Sequence, residues 1–201
     1  MNYLVTAIGT DSGKTLVSAI LTEALKADYW KPVQSGLPRD TKTVKSLVSN
    51  DRSVFHPERH LLDTPASPHA AAKIDGVQID LDDFTLPPTD RDLVVEGAGG
   101  MLVPLNDEDY VIDFASALSL EIILVSNLYL GSINHTLLSI EALKHRGLQV
   151  KGIIFNGEGN AESEHIIEQK SGWPVLLRIP KLASVDKEVV KEYGQQLLKN
   201  W

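Results

Sequence analysis

The sequence predicts an α/β protein in which a mostly parallel sheet carries helices on both faces. Three observations lead there. Short, nearly unbroken apolar runs alternate with longer segments of helical period along most of the 201 residues, and such alternation gives parallel strands joined by crossover helices. A turn with two glycines, AIGTDSGKT at 7–15, separates the first apolar run from the first helical segment. A later apolar run, DLVVEGAGG at 92–100, ends on an acidic residue followed by glycines.

Taken in order, residues 4–8 read as a strand buried on both faces, because the run shows no polar alternation. A helix follows over 16–27, with Leu16, Ile20, Ala24 and Ala27 on one face. Further strands are expected at 29–33, 93–96, 122–126, 150–156 and 175–179, each followed by turn residues. Between them, helical periods fall near 40–49, 110–118, 133–146, 162–170 and 185–199. Residues 51–90 differ, with prolines at 57, 65, 68, 87 and 88, and read as loops with short helices. With no Gly/Ser tract, charge block or repeat, this stretch is an excursion from one domain spanning 1–201, not a linker.

Composition removes several classes of function. The absence of cysteine excludes disulfides, thiolate metal sites and thiol nucleophiles, and suits a reducing compartment, with the cytoplasm as default. A net charge of −8 repels nucleic acid and anionic lipid. No export signal or membrane-length apolar stretch is present, so neither nucleic acid nor membrane is an expected partner. His56 and His60 have helical spacing for zinc, but Pro57 lies between them and no third ligand is apparent. The final segment, EVVKEYGQQLLKNW, reads as a core-packing helix interrupted by Gly194.

The turn at 7–15 has the context of a phosphate-binding loop: backbone N–H groups and a helix N-terminus face bound phosphate, Lys14 adds charge, and the Thr15 hydroxyl can ligate magnesium. It is a variant, since the usual first glycine falls on Ile8 and the chain offers Gly9 instead. The fold class is therefore a doubly wound, mostly parallel α/β sheet of the P-loop NTPase kind. Lys31, in WKPVQSG, ends the second strand at the carboxyl edge where ligands bind in such sheets, and Ser35 and Gly36 follow in a turn. Asp40 could cap a helix or contact magnesium. Glu96 ends the third strand, a place from which an acidic side chain commonly helps hold magnesium.

AIGTDSGKT, WKPVQSG, VVEGAGG and LGSINH together resemble, in order and approximate spacing, the dethiobiotin synthetase family of biotin biosynthesis, and the match covers nearly the whole chain. Two departures are visible: Ala7 stands for the family's glycine after the first strand, and the segment from Gly36 to Asp40 is short. The resemblance implies a homodimer that uses ATP and Mg2+ to close a cyclic urea on 7,8-diaminononanoate (7,8-diaminopelargonate) and CO2, through a carbamate that ATP phosphorylates. Carried over by motif, Asp11, Ser12, Gly13, Lys14 and Thr15 cradle the triphosphate, with Glu96, Gly97, Ala98 and Gly99 nearby. Lys31 is implied as the catalytic lysine, supported by Lys14, with Ser35 on the diamine and Thr15, Asp40 and Glu96 on magnesium. Ser132, Ile133 and Asn134 would offer helix N-terminal N–H groups to the substrate carboxylate of the neighbouring subunit. Asn156, Pro180, Lys181 and Leu182 are implied at the base; read from its own chemistry, the Asn156 amide suits adenine but other bases as well.

A second reading comes from the same loop: a switch ATPase of the ParA/MinD type that binds partner proteins. Such ATPases carry a lysine early in the loop, where this chain has Gly9, and VVEGAGG does not resemble their switch segment.

Overall fold

The computed structural model describes residues 1–201. Its strands are β1 (Asn2–Ala7), β2 (Asp28–Trp30), β3 (Val33–Ser35), β4 (Phe55–His56), β5 (His60–Leu62), β6 (Leu93–Glu96), β7 (Glu121–Leu128), β8 (Val150–Gly157) and β9 (Val175–Ile179). The helices are α1 (Lys14–Leu25), α2 (Asp40–Leu47), α3 (Pro68–Asp75), α4 (Phe114–Ala117), α5 (Ser132–His145), α6 (Ala161–Ser171) and α7 (Lys187–Leu197). Seven strands form one sheet in the order β4-β2-β6-β1-β7-β8-β9, and every pairing is parallel. After β1 the chain first builds toward β2 and β4 and later returns to build toward β9. The crevice at the carboxyl end of β1 is therefore the topological switch point, where ligands bind in open α/β sheets.

Apolar side chains leave the sheet on both faces and form two cores. Tyr3, Val5 and Ala7 of β1 join Val17 and Ile20 of α1, Val44 of α2 and Val190 and Leu197 of α7. Leu4 joins the opposite core with Phe114, Ile140 and Ile167 from α4, α5 and α6. Gly194, which interrupts the amphipathic pattern of α7, is where that helix meets α1: a Cβ there would lie 3.4 Å from the Ala24 Cβ. No helix is long and apolar enough to cross a membrane.

Three expectations change. The strand expected at 29–33 is broken after Trp30, because Pro32 has no N–H for the ladder. Its carbonyl instead accepts from the N–H groups of Arg59 and His60 at 2.9 and 3.0 Å, and the chain turns into β3, which pairs with β5 in a separate two-stranded parallel sheet. Lys31 thus lies just past the strand. Residues 51–90 are more than loops with short helices: they supply β4 as the sheet edge, β5 and α3, and bury Leu62, Ala71, Ala72, Ile79 and Phe84. The helix expected over 110–118 is a 3₁₀ turn (Val111–Asp113) followed by the four residues of α4, and Ser119 at φ 54° ends it.

Asp28 ties this excursion to the sheet. Buried at the start of β2, its carboxylate accepts from the Thr89 hydroxyl at 2.6 Å, the Val54 N–H at 2.8 Å and Arg91 Nη1 at 3.3 Å. Burial opposes ionisation, but these bonds hold the carboxyl below its ordinary value near 3.8. A folded-state pKa below the unfolded one means the stabilisation is present above the ordinary carboxylate range and is lost as pH falls through the folded value. Asp28→Asn is expected to cost about 2 kcal/mol at pH 7. In urea titrations the gap from the unsubstituted protein should close below about pH 4; a gap unchanged at pH 3 would show that the charge is not responsible.

Candidate active site

The loop between β1 and α1 closes over itself without spending its donors. None of the backbone N–H groups from Gly9 to Thr15 finds a backbone acceptor, although Ile8 N–H before them bonds the Val125 carbonyl. Asp11 at φ 57° and Gly13 at φ 95° turn the chain through the left-handed region. Position 13 favours glycine on two counts, the φ of 95° and a Cβ that would lie 2.3 Å from Asn156 Nδ2. Asn156 donates to the Ser12 carbonyl at 2.9 Å, and Ser12 Oγ lies 2.8 Å from Asn127 Oδ1 and 3.0 Å from the Gly9 carbonyl. The ends of β7 and β8 thereby hold the loop open. A run of unspent N–H groups ahead of a helix N-terminus is an anion cradle.

Lys14 enters the cradle with few partners. Its ammonium is buried, and its one acceptor is the Gly9 carbonyl at 3.4 Å. Burial, with the Lys31 charge adding to it, pushes its pKa down to about 8.

Lys31 is the opposite case. Only 3% exposed, its Nζ lies 2.7 Å from Asp40 Oδ2, 3.1 Å from Glu96 Oε1 and 3.0 Å from the Gly97 carbonyl. Burial would lower its pKa, but the Glu96 and Asp40 charges override that and hold it above the ordinary lysine value. Glu96 Oε1 also accepts from the Thr15 hydroxyl at 3.0 Å, and Oε2 accepts from the Tyr29 hydroxyl at 2.9 Å. Burial first, then the Glu96 charge, raises the Tyr29 pKa well above 10. Of the two roles open to Asp40, capping is not the one adopted. It is the first residue of α2, Arg39 is at the cap position without a side-chain bond, and the Asp40 N–H is satisfied by Gln34 Oε1 at 2.9 Å.

The four side chains of Thr15, Lys31, Asp40 and Glu96 therefore meet in one cleft of about 670 Å³, together with Asp11, Gly13, Lys14, Ala98 and Gly99. Ser35 lines the same cleft, and its hydroxyl is buried without a partner. Pro65 to Pro68 form the far wall. Thr15, Asp40 and Glu96 offer only hard oxygen donors around a position that the Lys31 ammonium shares, the donor chemistry magnesium prefers. Ser132, Ile133 and Asn134 do not line the cleft; they begin α5 beyond β7, where Gly131 at φ 103° takes the cap position in place of Ser132 or Asn134. Pro180, Lys181 and Leu182 follow β9 and are also outside it. Sequence reasoning did not single out Tyr29, Gln34 or Asn127. Gln34 lies inside WKPVQSG, while the only signal at Tyr29 was a hydroxyl-bearing ring in an otherwise apolar run.

Solved structures share this architecture. A putative plasmid partition protein from Borrelia burgdorferi bound to AMPPNP superposes with a TM-score of 0.59 at 12% identity, covering 98% of this chain and 96% of that one. The cell division ATPase MinD of Pyrococcus furiosus gives 0.58 at 15% identity, covering 98% of both chains. At such identities the likeness concerns the fold, a P-loop NTPase-like parallel sheet. A family model described as an AAA domain matches residues 1–189. Sequence relatives are far more similar. The ATP-dependent dethiobiotin synthetase BioD of Cytophaga hutchinsonii is 55% identical over 201 residues, 99% of this chain and 98% of its own length. The chain belongs to the dethiobiotin synthetase family. A dethiobiotin synthetase from Christiangramia forsetii is 51% identical over 98% of this chain and 96% of its own. As a member of the dethiobiotin synthetase family, the chain is an enzyme of the ligase class.

Proposed function

We propose that the chain, acting as one domain over 1–201, is an ATP- and Mg2+-dependent ligase that forms the ureido ring of dethiobiotin from 7,8-diaminononanoate and CO2. One observation carries the reading: a cradle of unspent N–H groups lies in the same cleft as two buried lysines and an oxygen cluster. A reaction that brings a carbamate against a triphosphate requires that concentration of positive potential. Membership of the dethiobiotin synthetase family supports this choice of substrates.

In this reading the N–H groups of Gly9 to Thr15 and the Lys14 ammonium bind the triphosphate. Thr15, Asp40 and Glu96 hold magnesium, which when bound supplies charge neutralisation for phosphoryl transfer. Lys31 faces the carbamate formed when one substrate amine takes up CO2, offsetting its charge as the γ-phosphoryl is transferred. The second amine then closes the ring with loss of phosphate, and ADP remains. Ser35 is assigned to the diamine, in keeping with its unpartnered hydroxyl. Asn156, Pro180, Lys181 and Leu182 are assigned to the base. One of the two amide N–H groups of Asn156 is spent on the loop, and its oxygen and remaining N–H are left for an adenine edge. No nucleophilic side chain is required.

The substrate carboxylate is assigned to Ser132, Ile133 and Asn134 of a second subunit. An uncovered apolar face adjoining α5 supports a homodimer: Leu130 is fully exposed, and Leu102 and Leu138 border a pocket with His135 beside Gly9 and Thr10. The compartment assigned is the cytoplasm, the reducing environment that a chain without cysteine suits.

Phosphate release from ATP should depend on both the diamine and bicarbonate. Release that ignores the diamine but responds to DNA or lipid would instead identify a partner-binding switch ATPase. Glu96→Gln is expected to raise the Mg2+ concentration needed for half-maximal turnover by well over about tenfold, since loss of a mere outer partner of a metal ligand already costs about that much. An unchanged Mg2+ titration would remove Glu96 from the site.

A further inference from the structure

We infer that Tyr29 is a positioning residue for Glu96: its hydroxyl anchors one carboxylate oxygen so that the other alone faces the bound cation. The inference rests on the magnesium reading above. Tyr29 is fully buried in β2 and donates to Glu96 Oε2, while Oε1 takes Thr15 and Lys31. The two oxygens therefore have separate partners. A strand covered by helices gains nothing from a tyrosine hydroxyl that phenylalanine would not provide, since a buried O–H is unfavourable unless bonded. The only partner of this hydroxyl is the carboxylate.

The phenol is held in its turn. Tyr29 pairs with Phe55 across β2 and β4, with ring centroids 6.1 Å apart. The edge strand contributed by residues 51–90 thus reaches the carboxylate through two contacts. Without the phenol, Oε2 is left buried and unpaired, and the broad terminal torsion of a glutamate lets the group turn. A carboxylate free to turn no longer presents a fixed oxygen beside Thr15, and metal ligands held by fewer outer contacts bind more weakly.

Mn2+ is the probe, with its free fraction read by paramagnetic resonance in the presence of β,γ-imido-ATP. Tyr29→Phe is expected to weaken Mn2+ binding tenfold or more, with the circular dichroism spectrum and metal-free nucleotide affinity unchanged. Mn2+ affinity within twofold of the unsubstituted protein overturns the inference, even if the urea midpoint falls, because that pattern is a purely structural role. Should Tyr29→Phe fail to fold, Phe55→Leu keeps the hydroxyl and loosens the ring. There a threefold weaker Mn2+ affinity supports the inference and an unchanged one overturns it. Absence of saturable Mn2+ binding by the unsubstituted protein would refute the magnesium reading itself, a result distinct from an indifferent Tyr29→Phe.

Discussion

Lys31→Ala is expected to lower turnover by about a hundredfold or more, equivalent to about 2.7 kcal/mol of barrier, while leaving Mn2+ affinity undiminished. Both effects have one origin. The Lys31 ammonium contacts Asp40, Glu96 and the Gly97 carbonyl, so it occupies the neighbourhood of the oxygens assigned to the metal. Removing it takes positive charge from the carbamate and at the same time removes a competitor for the two carboxylates. In the absence of metal, the variant leaves those carboxylates facing each other without a counter-ion, a costly state when one partner is buried. Its stability should therefore recover on adding Mg2+ more than that of the unsubstituted protein does. Turnover within tenfold of the unsubstituted enzyme, measured at saturating Mg2+, would remove Lys31 from the chemistry.

Lys14→Ala should lose about a hundredfold in kcat/KM for ATP, and yet it should fold at least as stably. The Lys14 ammonium is buried with a single long contact to Gly9, and burial together with Lys31 has already brought its pKa down to about 8. A charge so poorly compensated is unfavourable in the free protein and becomes favourable only when an anion enters the cradle. Alanine consequently removes a ground-state cost along with the ligand contact. A urea midpoint at or above that of the unsubstituted protein, combined with the kinetic loss, is the expected pair of results. A clear drop in midpoint would mean that Lys14 supports the loop itself, and retained kcat/KM would exclude it from the triphosphate site.

Much of the site was legible because its parts are local in sequence. Lys14 and Thr15 follow Gly13 within one turn, Glu96 closes an apolar run, and Lys31 stands beside a proline that ends its strand. Each of these positions is set by strand or helix boundaries, and hydrophobic period reveals those boundaries. The edge strand β4 escaped notice because two residues carry no readable period, and its pairing with β2 depends on residues 26 positions away. The helix expected over 110–118 failed for a related reason: the apolar spacing is right, but the chain there adopts a 3₁₀ turn and is stopped at Ser119.

By itself the sequence determined the parallel α/β layering, the place of the anion cradle and the family to which the chain belongs, since all three follow from periodicity and short contiguous motifs. Only the tertiary structure decided which side chains gather around the Lys31 ammonium and Glu96. Asp40 faces Lys31 and leaves the capping of its helix to Gln34, and the hydroxyl of Tyr29 meets Glu96 from an adjacent strand. The physical reason is that hydrogen bonds and ion pairs act over about 3 Å between atoms whose separation in the chain reaches tens of residues. Crossover topology brings those atoms together, and no local pattern encodes the final few ångströms.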